Sequence, residues 1–110
     1  MGKILNLTLK KNWFILMLNG IKKQEFRKPS KWIKTRLENK SYQFVKFVNG
    51  YGKNYPFFIC EYKGFKISKE KHTFNFDGQE VSLEKGDYII QLGRIIDYGN
   101  LDNIAFPFKK

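Results

Sequence analysis

Two alternating stretches separated by Asp77-Gly78 constrain this chain more than any other feature. In His72–Phe76 the apolar side chains recur every second residue, and Gln79–Leu83 repeats the pattern. Asp-Gly suits a two-residue type I′ turn, whose two central residues must both take positive φ. The segment therefore predicts a β-hairpin. The same period of two recurs in residues 4–9, where Leu5, Leu7 and Leu9 alternate with Asn6, Thr8 and Lys10. That is the signature of a half-buried strand. Further strands are expected at residues 21–28, which are rich in charge, and at residues 42–49. The latter segment closes on the glycine turn Asn49-Gly50-Tyr51-Gly52. Residues 57–65 read as a strand pair or one long bent strand, kinked at Gly64. Residues 88–97 follow the Lys85-Gly86-Asp87 turn as a strong strand with a bulge at Gly93.

Two short helices interrupt this pattern near the start. Over residues 12–19, Trp13, Leu16 and Met17 share a face by i, i+3, i+4 spacing, which Phe14 and Leu18 widen. Asn19-Gly20 supplies the stop, because glycine accepts a left-handed conformation. Ser30 is placed to cap a second helix through Leu37, with Trp32, Ile33 and Leu37 inward. Five to seven strands at short spacing and two helices imply an α+β, mainly β fold: a small barrel or strongly curved sheet plugged on one side. The 110 residues suit one domain. The terminal Phe106 and Phe108 are expected to pack the tail down.

Charge narrows the function. The formal net charge is +11. Residues 1–40 hold eleven basic and two acidic side chains, a net of +9, whereas residues 41–110 are nearly balanced. Concentrated positive charge points to a polyanionic partner. The apolar run at residues 13–18 is far below the roughly 20 residues a bilayer span needs, and no signal peptide is visible. A single cysteine, Cys60, allows no internal disulfide; it reads as a buried apolar residue in a cytoplasmic, reducing setting. Cys60 and the lone His72 are too few for a zinc site, and no cofactor is implied.

The charged segment carries the chemistry. Gly20, Lys22 and Arg27 fit the pattern G-x-K-x-x-x-x-R. It follows a strand and a helix that ends at the glycine. In that context the chain resembles the ASCH family, a branch of the PUA-like superfamily. The turn at Asn49-Gly50-Tyr51, Glu61 and Gly86-Asp87 are also similar to members of that group. The resemblance implies a PUA-like β-barrel with a cleft beside the motif strand, and a role in RNA binding or metabolism. It also implies that some relatives are ribonucleases or amidohydrolases of acylated cytidine. The amidohydrolase branch pairs the motif Lys with a Thr three residues on. Here that position is Glu25, which cannot replace an alkoxide nucleophile.

From the residues themselves, strand alternation sends Lys23, Glu25 and Arg27 one way and Lys22, Gln24 and Phe26 the other, with Lys22 close to the turn. Arg27 and Lys22 are candidate phosphate or base contacts with Glu25 orienting them; the alternative is a surface ion-pair row. Gly20 allows a ligand close to the backbone, and Lys23 adds charge. Trp32 and Arg36, at i and i+4, form either a stacking edge of the cleft or core and solvated surface. Tyr51 is either a stacking platform or a lid. Glu61 is a candidate general base, with burial raising its pKa, or an ion-pair partner of Lys22 or Arg27. Three functions follow. One is a module that binds RNA or a modified nucleoside. Another is a small hydrolase using Lys22, Glu25 or Glu61. The third is a factor that meets an acidic protein.

Overall fold

The computed structural model describes residues 3–50 and 54–103. Seven strands and two short helices follow the order β1 (Ile4–Thr8), α1 (Lys11–Leu18), β2 (Gln24–Arg27), α2 (Lys31–Leu37), β3 (Phe44–Val48), β4 (Phe57–Ile67), β5 (His72–Phe76), β6 (Gln79–Leu83) and β7 (Tyr88–Gly99). A 3-10 turn at Leu101–Asn103 follows. Five strands form one curled, half-barrel sheet in the order β1-β3-β4-β7-β2. β1 runs parallel to β3, and every other pairing is antiparallel. The small barrel-like α+β architecture expected from the strand pattern is therefore present.

The predicted hairpin is β5–β6, with Asp77 at φ 53° and Gly78 at φ 88°. Its phenylalanines do not join the main core. Phe74 stacks on Phe26 of β2 at 5.3 Å, and Phe76 lies 6.5 Å from the same ring. The hairpin is thus a small second sheet laid against the edge strand β2.

Residues 57–67 form one long strand rather than two, pairing with the equally long β7. The register slips three times along this pair. One slip falls between the Cys60–Ile95 and Tyr62–Leu92 pairs, where β7 carries an extra residue at the predicted Gly93 bulge. Such slips bend a sheet and increase its twist, which is how five strands curl without closing.

The core gathers Leu5, Leu7, Phe14, Ile33, Leu37, Val45, Phe47, Phe58 and Ile90, all nearly or fully buried. Phe14 of α1 meets Phe58 of the central β4 at 5.0 Å between ring centres, and Phe47 meets Phe58 at 5.3 Å. The buried face of α1 is centred on Phe14 and Met17, not on Trp13, which is only partly covered. Trp32 departs from expectation: it is 48% exposed, while Ile33 and Leu37 fill the inward stripe of α2. A helix of seven residues has room for one apolar row, and the ring at position 32 falls outside it. Phe106, Phe108 and Tyr51 lie outside the described residues.

Candidate functional site

The local chain geometry after α1 decides where Lys22 goes. Gly20 takes φ +75°. Its N–H donates to Met17 O at 3.1 Å and the Ile21 N–H to Leu16 O at 2.9 Å. These two bonds form a Schellman stop. The Lys22 N–H also reaches Leu16 O, at 3.2 Å. Lys22 is thereby tied to the helix end before β2 begins at Gln24, so strand alternation does not govern it. Lys22, Glu25 and Arg27 come together, while Lys23 is exposed and lies outside their ion pairs.

The cluster is tight and largely buried. Lys22 is 3% exposed and Glu25 6%. Lys22 Nζ donates to the Gln24 carbonyl and to Glu25 Oε1 at 3.3 Å. It also lies 4.8 Å from the Phe26 ring centre, 5.7 Å from Trp13 and 5.8 Å from Phe76. An ammonium enclosed by ring faces and a carboxylate keeps favourable partners without water. Burial nevertheless holds the Lys22 amine below the ordinary lysine value, with the Glu25 carboxylate pulling the other way.

Glu25 Oε2 accepts from Arg27 Nε at 2.7 Å, and Arg27 Nη2 donates to the Thr8 carbonyl at 2.7 Å. Thr8 ends β1 and Arg27 ends β2, the two edges of the open sheet. The guanidinium is therefore a clasp across the gap in the half-barrel. Among the described residues it uses two of its five N–H groups this way.

Beside the clasp lies a hollow of about 490 Å³, lined by Thr8, Leu9, Lys10, Trp13, Glu25, Arg27, Asn49 and Gly50. That volume is in the range of small-molecule sites. Lys10 opens α1, whose first turn carries no side-chain cap and no acidic residue. The partial positive charge of a helix start therefore adds to the two cations. Asn49 donates its Nδ2 to Leu9 O at 3.0 Å, which leaves Oδ1 as an acceptor.

No family model, curated protein or solved structure matches this chain.

The residues expected to form one cleft are divided among three hollows. Glu25 and Arg27 line the one just described. Gly20, Lys22 and Lys23 line a larger one of about 680 Å³, with Cys60, Leu92 and Arg94. Trp32 and Arg36 line a third on α2 and share no residue with the hollow at Arg27.

Glu61 is not a partner of Lys22 or Arg27. It accepts the Arg94 N–H at 2.9 Å and approaches Lys63 at 3.9 Å. The bond from the Arg94 backbone, with Lys63 nearby, holds its carboxyl below the ordinary glutamate value. The expected upward shift is thus reversed, because Glu61 sits on the outer side of the bulge rather than in an apolar pocket. Its carboxylate fills the space over Gly93, where an added Cβ would stand 2.6 Å from Oε1.

Sequence reasoning placed Trp13 in the core and did not single out Lys10. Their spacing of three at a helix start was the available signal, since such residues share a face. The Thr8 carbonyl had no signal, being a backbone group. Among the described residues no three His, Cys, Asp or Glu side chains come together as a cation site would require.

Proposed function

We propose that this chain is a binding module for RNA or a nucleotide-like ligand, held in the hollow at Arg27. One observation carries the reading. The Arg27 guanidinium is fixed by Glu25 and Thr8 O and lines a concavity that also contains Trp13 and Lys10. A guanidinium already locked in place loses little freedom on meeting a phosphate, and its unused N–H groups suit bidentate contact. The indole offers a face for a base, and Lys10 adds a second cation to the lining. The net +9 of residues 1–40 supports the same reading, as does the resemblance of Gly20, Lys22 and Arg27 to the ASCH pattern.

A hydrolase built on Lys22 and Glu25 has less support. Both oxygens of Glu25 are occupied, and the Lys22 amine is enclosed. An acidic protein partner would meet the same cations but would not use the indole face.

Affinity for a short single-stranded RNA, measured by electrophoretic shift at about 50 and about 200 mM salt, tests the proposal. Arg27→Lys keeps the charge and removes the fork, so it is expected to weaken binding about tenfold or more. Lys10→Ala is expected to weaken it less and to lower the salt dependence by roughly one phosphate contact. Unchanged affinity in Arg27→Lys removes the hollow from the binding surface.

A further inference from the structure

We infer that α2 carries a second contact surface, separate from the hollow at Arg27, which takes single-stranded nucleic acid by stacking a base on Trp32. Ser30 accepts the Ile33 N–H at 3.1 Å and starts the helix, which sends Ile33 and Leu37 into the core. That rotation leaves Trp32 outside, 48% exposed. One turn later, the Arg36 guanidinium lies over the indole, 5.0 Å from its centre. The Tyr42 hydroxyl donates to the Arg36 carbonyl and ties the end of the helix to the segment leading into β3. The ring thus stacks against a cation and retains solvent-facing surface.

Around it lies a hollow of about 720 Å³ whose charged lining is Lys3, Lys31, Arg36 and Lys40, with no acidic residue. The half-exposed indole leaves an apolar ring surface uncovered beside these cations. Four cations with no acidic residue in the lining make a local positive potential that favours an anionic partner. Single-stranded nucleic acid meets both demands, since its phosphates pair with the lysines while a base stacks on the Trp–Arg plane. An acidic polypeptide meets only the second.

This surface is independent of the Arg27 hollow, and the two indoles of the chain allow each to be read alone. Trp13→Phe leaves Trp32 as the sole indole, and Trp32→Phe leaves Trp13. In the Trp13→Phe protein, titration with oligouridylate is expected to quench Trp32 emission to saturation. Trp32→Ala is expected to weaken oligouridylate binding about tenfold, with Trp32→Phe restoring most of it, because stacking survives in the smaller ring. Lys31→Ala combined with Lys40→Ala is expected to reduce the salt dependence by roughly one to two phosphate contacts. These effects should persist in Arg27→Lys, so failure of the hollow and failure of this surface are distinguishable. Unquenched Trp32, or equal binding of Trp32→Ala, overturns the inference. Tighter binding of polyglutamate than of oligouridylate also overturns it, in favour of an acidic protein partner.

Discussion

Glu25→Ala is expected to lower unfolding stability by about 3 to 5 kcal/mol, measured as a fall in the urea midpoint with an unchanged slope. Among the described residues the carboxylate is the sole acidic partner of two cations. One of these, Lys22, is only 3% exposed. Without Glu25 its ammonium keeps, among the described residues, the Gln24 carbonyl and three ring faces. Small domains have roughly 5 to 15 kcal/mol in all, so the loss is a large share of stability. The double replacement Lys22→Met with Glu25→Leu is expected to recover part of it, because no enclosed ammonium remains, while Arg27 loses its carboxylate but keeps the Thr8 carbonyl and its own exposure to water. A loss below about 0.5 kcal/mol for Glu25→Ala would show the cluster to behave like an ordinary surface ion pair.

Alkaline pH should expose a second large effect, centred on Cys60. Burial, with Glu61 adjacent, pushes its thiol from 9.0 up to about 12. Below pH 9 both the folded and unfolded chains hold the proton, and the thiol contributes no slope. Between 9 and 12 the unfolded chain releases it while the folded chain keeps it, so stability falls with rising pH. At about 1.4 kcal/mol per pH unit, the loss reaches about 3 kcal/mol by pH 11. Lys22 works in the opposite sense. Its folded amine titrates below 10.5, so its own contribution rises with pH in the window below that value. Tyr62, pushed up by burial with Tyr42 nearby, adds to the loss above pH 10. Cys60→Ala isolates the thiol: its stability curve should lose the thiol's share of the decline between pH 8 and 11. Parallel curves for the two proteins would contradict a buried, proton-retaining thiol. The same burial makes Cys60 slow to alkylate at neutral pH until the chain unfolds.

Much of the fold is legible in local pattern. Asp77-Gly78 forces the hairpin, and Ser30 with Gly20 brackets the helices through a side-chain cap and a positive φ. The Gly93 bulge is legible because a lone glycine inside a strand pattern marks one, and the structure adds that a side chain there would collide with Glu61. Trp32 is where local reading fails. Its helix is too short for hydrophobic spacing to separate an inward ring from an outward one, and only packing against the sheet settles the rotation. The candidate site is legible in its residue types but not in its grouping. Lys22 joins Glu25 and Arg27 because a helix stop holds its backbone outside the strand. Lys23 also precedes the strand, and its exposed side chain stays outside the cluster, where alternation alone would have grouped it with Glu25 and Arg27. The clasp from Arg27 to the Thr8 carbonyl depends on the sheet remaining open between β1 and β2, a property of five strands together and of no segment alone.

The most direct measurement follows the side-chain N–H signals of Arg27 Nε and Trp13 Nε1 by nuclear magnetic resonance while a nucleoside 5′-monophosphate is added. The two groups line one hollow, so both signals should shift together along a single saturable curve, and Arg27→Lys should move the Trp13 curve to about tenfold higher ligand concentration. If both stay fixed while other resonances move and saturate, the ligand binds elsewhere and the guanidinium at the gap in the half-barrel serves only to hold it together.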